Sequence, residues 1–98
     1  MFVVELTIKT SNLEEYERVK NTTIEYFFKA NFLINEKEKG YFEFKSFDEK
    51  AGFSSMLDIF DYLFYEEWFI TVVESCYFYI SKKGKISFYR DVLDHYLS

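Results

Sequence analysis

The chain has 98 residues, among them 13 Phe, 9 Tyr and 1 Trp, with one His, one Cys, no Pro and a formal net charge of -5. At this length a chain buries about two-thirds of the surface that it exposes when unfolded, so residues 1–98 are expected to form a single α+β domain with one core. One cysteine excludes an internal disulfide, one His and one Cys exclude a zinc site built from those residues alone, and the aromatic content excludes a disordered chain.

In chain order, Phe2, Val4, Leu6 and Ile8 alternate with Val3, Glu5, Thr7 and Lys9, the period-two pattern of a half-buried strand. Ser11 followed by Glu14 has the form of a capping box, and Tyr16, Val19, Thr23, Phe27 and Ala30 recur at helical spacing, which predicts a first helix over residues 12–30. Residues 32–36 and 41–47 flank a charged turn ending in Gly40 and form the expected first hairpin, with Phe42 and Phe44 on one face. A second helix is expected after Gly52, where Phe53, Met56, Leu57, Phe60, Leu63, Phe64 and Trp68 form one apolar stripe. Residues 70–80 and 86–89 flank the turn Ser81-Lys82-Lys83-Gly84 and predict a second hairpin. Asp91 is placed to cap a short final helix carrying Val92, Leu93, Tyr96 and Leu97 on one side.

The order βαββαββα implies an α+β architecture: a mainly antiparallel, roughly five-stranded sheet with two helices packed on the face lined by Phe2, Val4, Leu6 and Ile8. The first six elements resemble the ferredoxin-like split βαβ pattern. In particular they resemble the small dimeric monooxygenase-like domains, whose first strand and helix have a rhythm similar to residues 2–30. The second hairpin and last helix depart from that plan, and no functional residue carries across.

Side chains suited to catalysis are scarce. His95 lies near the C-terminal end with Asp91 one turn before it and no nearby nucleophile, so a surface histidine interacting with Asp91 is expected rather than a general base. Cys76 falls in the apolar set Ile70, Val72, Phe78 and Ile80 and reads as a buried small hydrophobe. Asp58 and Asp61 stand one helical turn apart. Two carboxylates at that spacing suit a hard cation, but a solvated helix face explains them more simply. There is no glycine-rich phosphate loop, and no cofactor, metal or catalytic residue is expected. The apolar run from Trp68 to Val73 is far shorter than the roughly 18 residues that a membrane span needs. The first residues have neither a basic nor an apolar leader pattern, which makes the cytoplasm the expected location.

Charge is unevenly placed. Residues 48–75 carry seven acids (Asp48, Glu49, Asp58, Asp61, Glu66, Glu67 and Glu74) against one base, Lys50. On the second helix, Asp58, Asp61, Tyr62 and Tyr65 fall within about 100° of one another and opposite Phe53, Phe60 and Phe64. With Glu66, they are the expected partner-binding set. Tyrosine supplies large contact area with one polar end, and carboxylates beside it steer and pair a basic partner. Direct nucleic-acid binding is not expected, because affinity for phosphate comes largely from Lys and Arg. Lys82, Lys83 and Lys85, the one basic cluster, lie on a hairpin where lysines commonly discourage edge-to-edge aggregation.

These features predict a small acidic inhibitor that is not an enzyme and that blocks a basic protein, such as a nuclease or toxin with a positively charged groove. In size, acidity and lack of catalytic residues the chain resembles bacterial immunity proteins that neutralise toxin nucleases, and virus-encoded inhibitors of host nucleases. The alternative is a dimeric ferredoxin-like domain that binds a small ligand in an aromatic pocket.

Overall fold

In the computed structural model, which describes residues 1–97, the alternating start of the chain forms strand β1 (Phe2–Ile8). The other strands are β2 (Leu33–Glu38), β3 (Tyr41–Ser46), β4 (Val73–Lys82) and β5 (Lys85–Asp91). All five form one antiparallel sheet in the order β2-β3-β1-β4-β5. The helices are α1 (Leu13–Lys29), α2 (Glu49–Leu63), α3 (Glu67–Ile70) and α4 (Val92–Leu97). The architecture is α+β, with α1 and α2 as the two long helices.

Register explains where the core sits. Val4 pairs with Phe44 and Phe78, and Leu6 with Phe42 and Cys76, so the even positions of β1 share one face with the aromatics of both neighbours. Phe2, Val4, Leu6 and Ile8 are buried against α1 and α2. Phe27 of α1 stacks on Phe44, with ring centroids 4.3 Å apart, and meets Phe60 of α2 edge-on at 5.6 Å. Phe60 is fully buried. Truncating such a ring to alanine costs roughly 3–5 kcal/mol through lost transfer energy and the cavity left behind.

The helices differ from expectation at their ends. Asn12, not Ser11, caps α1: its Oδ1 accepts the Glu15 N–H at 3.0 Å. Helix α2 starts at Glu49, before Gly52, because Asp48 caps it by accepting the Ala51 N–H at 3.0 Å. Gly52 lies inside the first turns, where α2 crosses the sheet too closely for a side chain. A Cβ there would stand 2.8 Å from the Ser46 Cβ and 3.1 Å from a Phe2 ring carbon. A residue that looked like punctuation is thus a packing contact.

The apolar stripe that ran on to Trp68 is divided between two helices. After Leu63 the backbone closes with tighter three-residue bonds, Tyr65 N–H to Tyr62 O and Glu66 N–H to Leu63 O, which lets Phe69 turn in and meet Phe64 edge-on at 5.1 Å. The helix α3 that results is absent from the expected order βαββαββα and delays β4 to Val73. Phe53, expected within the buried stripe, is 40% exposed. Asp91 caps α4 as expected, accepting the Leu93 N–H at 2.9 Å.

Candidate protein interface

Helix α2 turns Phe60 and Leu63 inward, and the 100° step of the helix leaves Asp58, Asp61 and Tyr62 on the solvent side. Tyr65 and Glu66 do not lie on the helix. They occupy the turn after it, where Tyr65 is 88% exposed and Glu66 is half-buried. The five residues therefore run from the last turns of α2 into the α2–α3 connection.

Neighbours that sequence spacing could not supply complete this surface. Tyr62 leans against Tyr26 of α1, with centroids 5.5 Å apart. The Tyr96 hydroxyl of α4 donates to Asp61 Oδ1 at 2.5 Å, while its ring stacks flat on Phe64 at 4.6 Å. Burial, followed by that bond to Asp61, pushes the Tyr96 phenol well above its usual pKa. The Trp68 indole donates to Glu66 Oε2 at 2.8 Å, and the Arg18 guanidinium lies 4.3 Å from the Trp68 ring centroid. Two of the three carboxylates are thus held in fixed orientations, whereas Asp58 is exposed on the open helix face. Tyr26 was legible in principle, since it falls outside the buried stripe Tyr16, Val19, Thr23 and Phe27. The contacts of Tyr96, Trp68 and Arg18 depend on chain segments distant in sequence.

On the sheet face away from the helices, tyrosines and carboxylates bond to one another. Glu5 accepts the Tyr41 hydroxyl at 2.9 Å and the Tyr79 hydroxyl at 2.6 Å. Tyr89 stacks on both Tyr77 and Tyr79. Glu43, the cross-strand partner of Glu5, is 5% exposed and is flanked by Lys45 at 3.1 Å and Lys37 at 3.7 Å. The Lys45 contact is an ion pair without an aligned hydrogen bond, since Glu43 Oε1 makes none. Burial, then the hydrogen bond and charge of Glu5, push Tyr41 up to about 12.

Cys76 is fully buried, and burial pushes its thiol well above the usual range, as does the Asp91 charge. His95 is exposed and meets the Tyr96 ring edge-on at 4.8 Å; the Asp91 carboxylate expected beside it is committed to the backbone of Leu93. Lys82 lies 3.7 Å from Glu49, which also receives the Met1 ammonium at 2.9 Å. Among the described residues no group of three or more His, Cys, Asp or Glu is arranged to hold a metal ion, and no helix is long and apolar enough to cross a membrane. Comparison with known proteins gives no matching family model, no matching curated protein and no matching solved structure.

Proposed function

We propose that this domain is a small acidic inhibitor that binds and blocks a basic protein through the outer side of α2 and the turn that follows it. The supporting observation is the exposed pair Tyr62 and Tyr65 set among Asp58, Asp61 and Glu66, with Asp61 and Glu66 already oriented by Tyr96 and Trp68. Oriented carboxylates lose little entropy on pairing with a cation, and tyrosine rings give contact area at low conformational cost. Together they imitate alternating phosphates and bases, which suits the positively charged groove of a nuclease or nuclease toxin. The domain acts by occlusion in the cytoplasm, as an immunity protein or a virus-encoded inhibitor does, without catalysis or cofactor and without touching nucleic acid. Its scaffold is a ferredoxin-like variant; the order β2-β3-β1-β4 supports that reading, with β5 and α4 appended beyond β4.

The test is affinity capture from the source cells, followed by nuclease assays on what is captured. Recovery of a basic nuclease whose activity falls stoichiometrically on adding the domain is the expected result. A captured nuclease that remains fully active in the complex, or retention of a second copy alone, would overturn inhibition.

A further inference from the structure

A pocket of about 200 Å³ opens between α2, β4, the end of β5 and α4. Its wall is aromatic and aliphatic: Phe53, Met56 and Leu57 from α2, Phe78 from β4 and Val92 from α4. An apolar cavity of ~150 Å³ holds a benzene ring, so this volume accepts one ring with a short polar arm.

A backbone irregularity supplies the polar end. Ile80 pairs with Ser87 and Phe78 with Arg90, so Tyr79 alone stands opposite two residues, Phe88 and Tyr89. Phe88 takes a left-handed φ of 54° at this bulge. Such insertions re-aim the side chains that follow. In an unbroken ladder Tyr89 would oppose Phe78; the bulge sends Tyr89 to the tyrosine face, where it stacks on Tyr77 and Tyr79, and brings Arg90 to the pocket beside Phe78. Arg90 donates from Nη1 to the Tyr89 carbonyl at 2.9 Å. His95 joins the same rim. Asp91, the one acid lining the pocket, is tied through Oδ1 to the Leu93 N–H, and the Tyr96 hydroxyl is tied to Asp61.

We infer that this pocket binds a small aromatic monocarboxylate, with the ring among Phe53, Leu57 and Phe78 and the carboxylate on the Arg90 fork beside His95. Guanidinium suits a planar carboxylate because two parallel N–H donors match its two oxygens. The site shares Tyr96 with the inhibitor surface, but its test involves no protein partner.

Amide NMR titration with phenylacetate, phenylacetamide and phenethylamine separates the contributions of ring and charge. Phenylacetate is expected to cause saturable shifts at Phe78, Val92 and His95, and to bind about tenfold more tightly than the neutral amide, the value of roughly one charge-assisted hydrogen bond. In Arg90→Gln, an exposed substitution, acid and amide should bind alike. In Leu57→Trp, which fills the pocket, both should be lost. The inference fails if phenylacetate gives no saturable shifts at these amides, if the amide matches it in the unmodified protein, or if the amine binds best, which would assign the rim to Asp91. It also fails if Arg90→Gln keeps the preference for the acid.

Discussion

The Tyr96 hydroxyl and the Asp61 carboxylate, 35 residues apart in the chain, share a 2.5 Å hydrogen bond that joins α4 to α2. The Tyr96 ring lies flat on Phe64, so the same residue packs the last helix and orients an acid on the outer face of α2. Tyr96→Phe keeps the ring and removes the bond. Unfolding free energy should fall by about 1 kcal/mol, a charge-assisted bond discounted for its exposure to solvent. With the partner bound, dissociation should speed up while association is unchanged, because the charge of Asp61 remains. Urea titration and surface plasmon resonance read the two effects, and an unaltered stability would show that the bond adds nothing in water.

On the proposed inhibitor surface, tyrosines and carboxylates should separate kinetically. Tyr65→Ala, at a site 88% exposed, should leave stability unchanged and weaken the complex by about 1–2 kcal/mol, mostly through faster dissociation. Tyr62→Ala should act the same way and also release Tyr26. Asp58→Asn should instead slow association and flatten its dependence on salt. Sensorgrams at two ionic strengths distinguish these responses; unmodified kinetics in all three folded variants would exclude this face.

Thr23 lies on the buried side of α1, and its hydroxyl is buried without a hydrogen-bond partner. An orphaned buried hydroxyl carries a desolvation cost with no return. Thr23→Val, which retains the branched shape, should stabilise the protein by about 1 kcal/mol, read as a rise in denaturation midpoint at constant slope. A loss of stability would mean that the hydroxyl is bonded in solution.

The tyrosines around Glu5 predict an alkaline weakness. Tyr41 is pushed up to about 12, and Tyr79 is raised further; in each, burial comes first and Glu5 second. Phenols in the unfolded chain ionise near pH 10. Their contribution to stability is therefore complete below about pH 10 and is lost as pH rises through about 12, since above pH 10 the unfolded state releases protons that the folded state retains. Urea midpoints across that window should fall. Glu5→Gln should make the fall shallower and bring tyrosinate absorbance to lower pH. An identical decline in Glu5→Gln would show that the carboxylate is not its source.

Much of the framework was legible because local pattern decides it. The alternation of residues 2–9 requires a strand whose even positions are buried, and Phe27, Phe42, Phe44 and Phe60 lie on faces that periodicity alone assigns. The strands, the antiparallel hairpins and the outward placement of Asp58, Asp61 and Tyr62 follow from the same rule, as does the cap at Asp91. Helix boundaries were less legible. Gly52 carries the sequence signature of a break, yet it was selected by the crossing of α2 over Ser46 and Phe2, a distance that no local window contains. The stripe through Trp68 had helical spacing across a real interruption, but after the turn α3 buries Phe69 in place of the half-buried Trp68.

What the amino-acid order determined by itself was therefore the balance of charge, the period of each segment and the residues that must be hidden, since these depend on neighbours within about one or two turns. Only tertiary structure decided which polar groups meet. Tyr96 finds Asp61, Tyr41 and Tyr79 converge on Glu5, and a bulge at Phe88 brings Arg90 to an aromatic wall. Each of these depends on strand register or helix packing between segments separated in the chain, and a shift of one residue in that register moves a side chain to the opposite face.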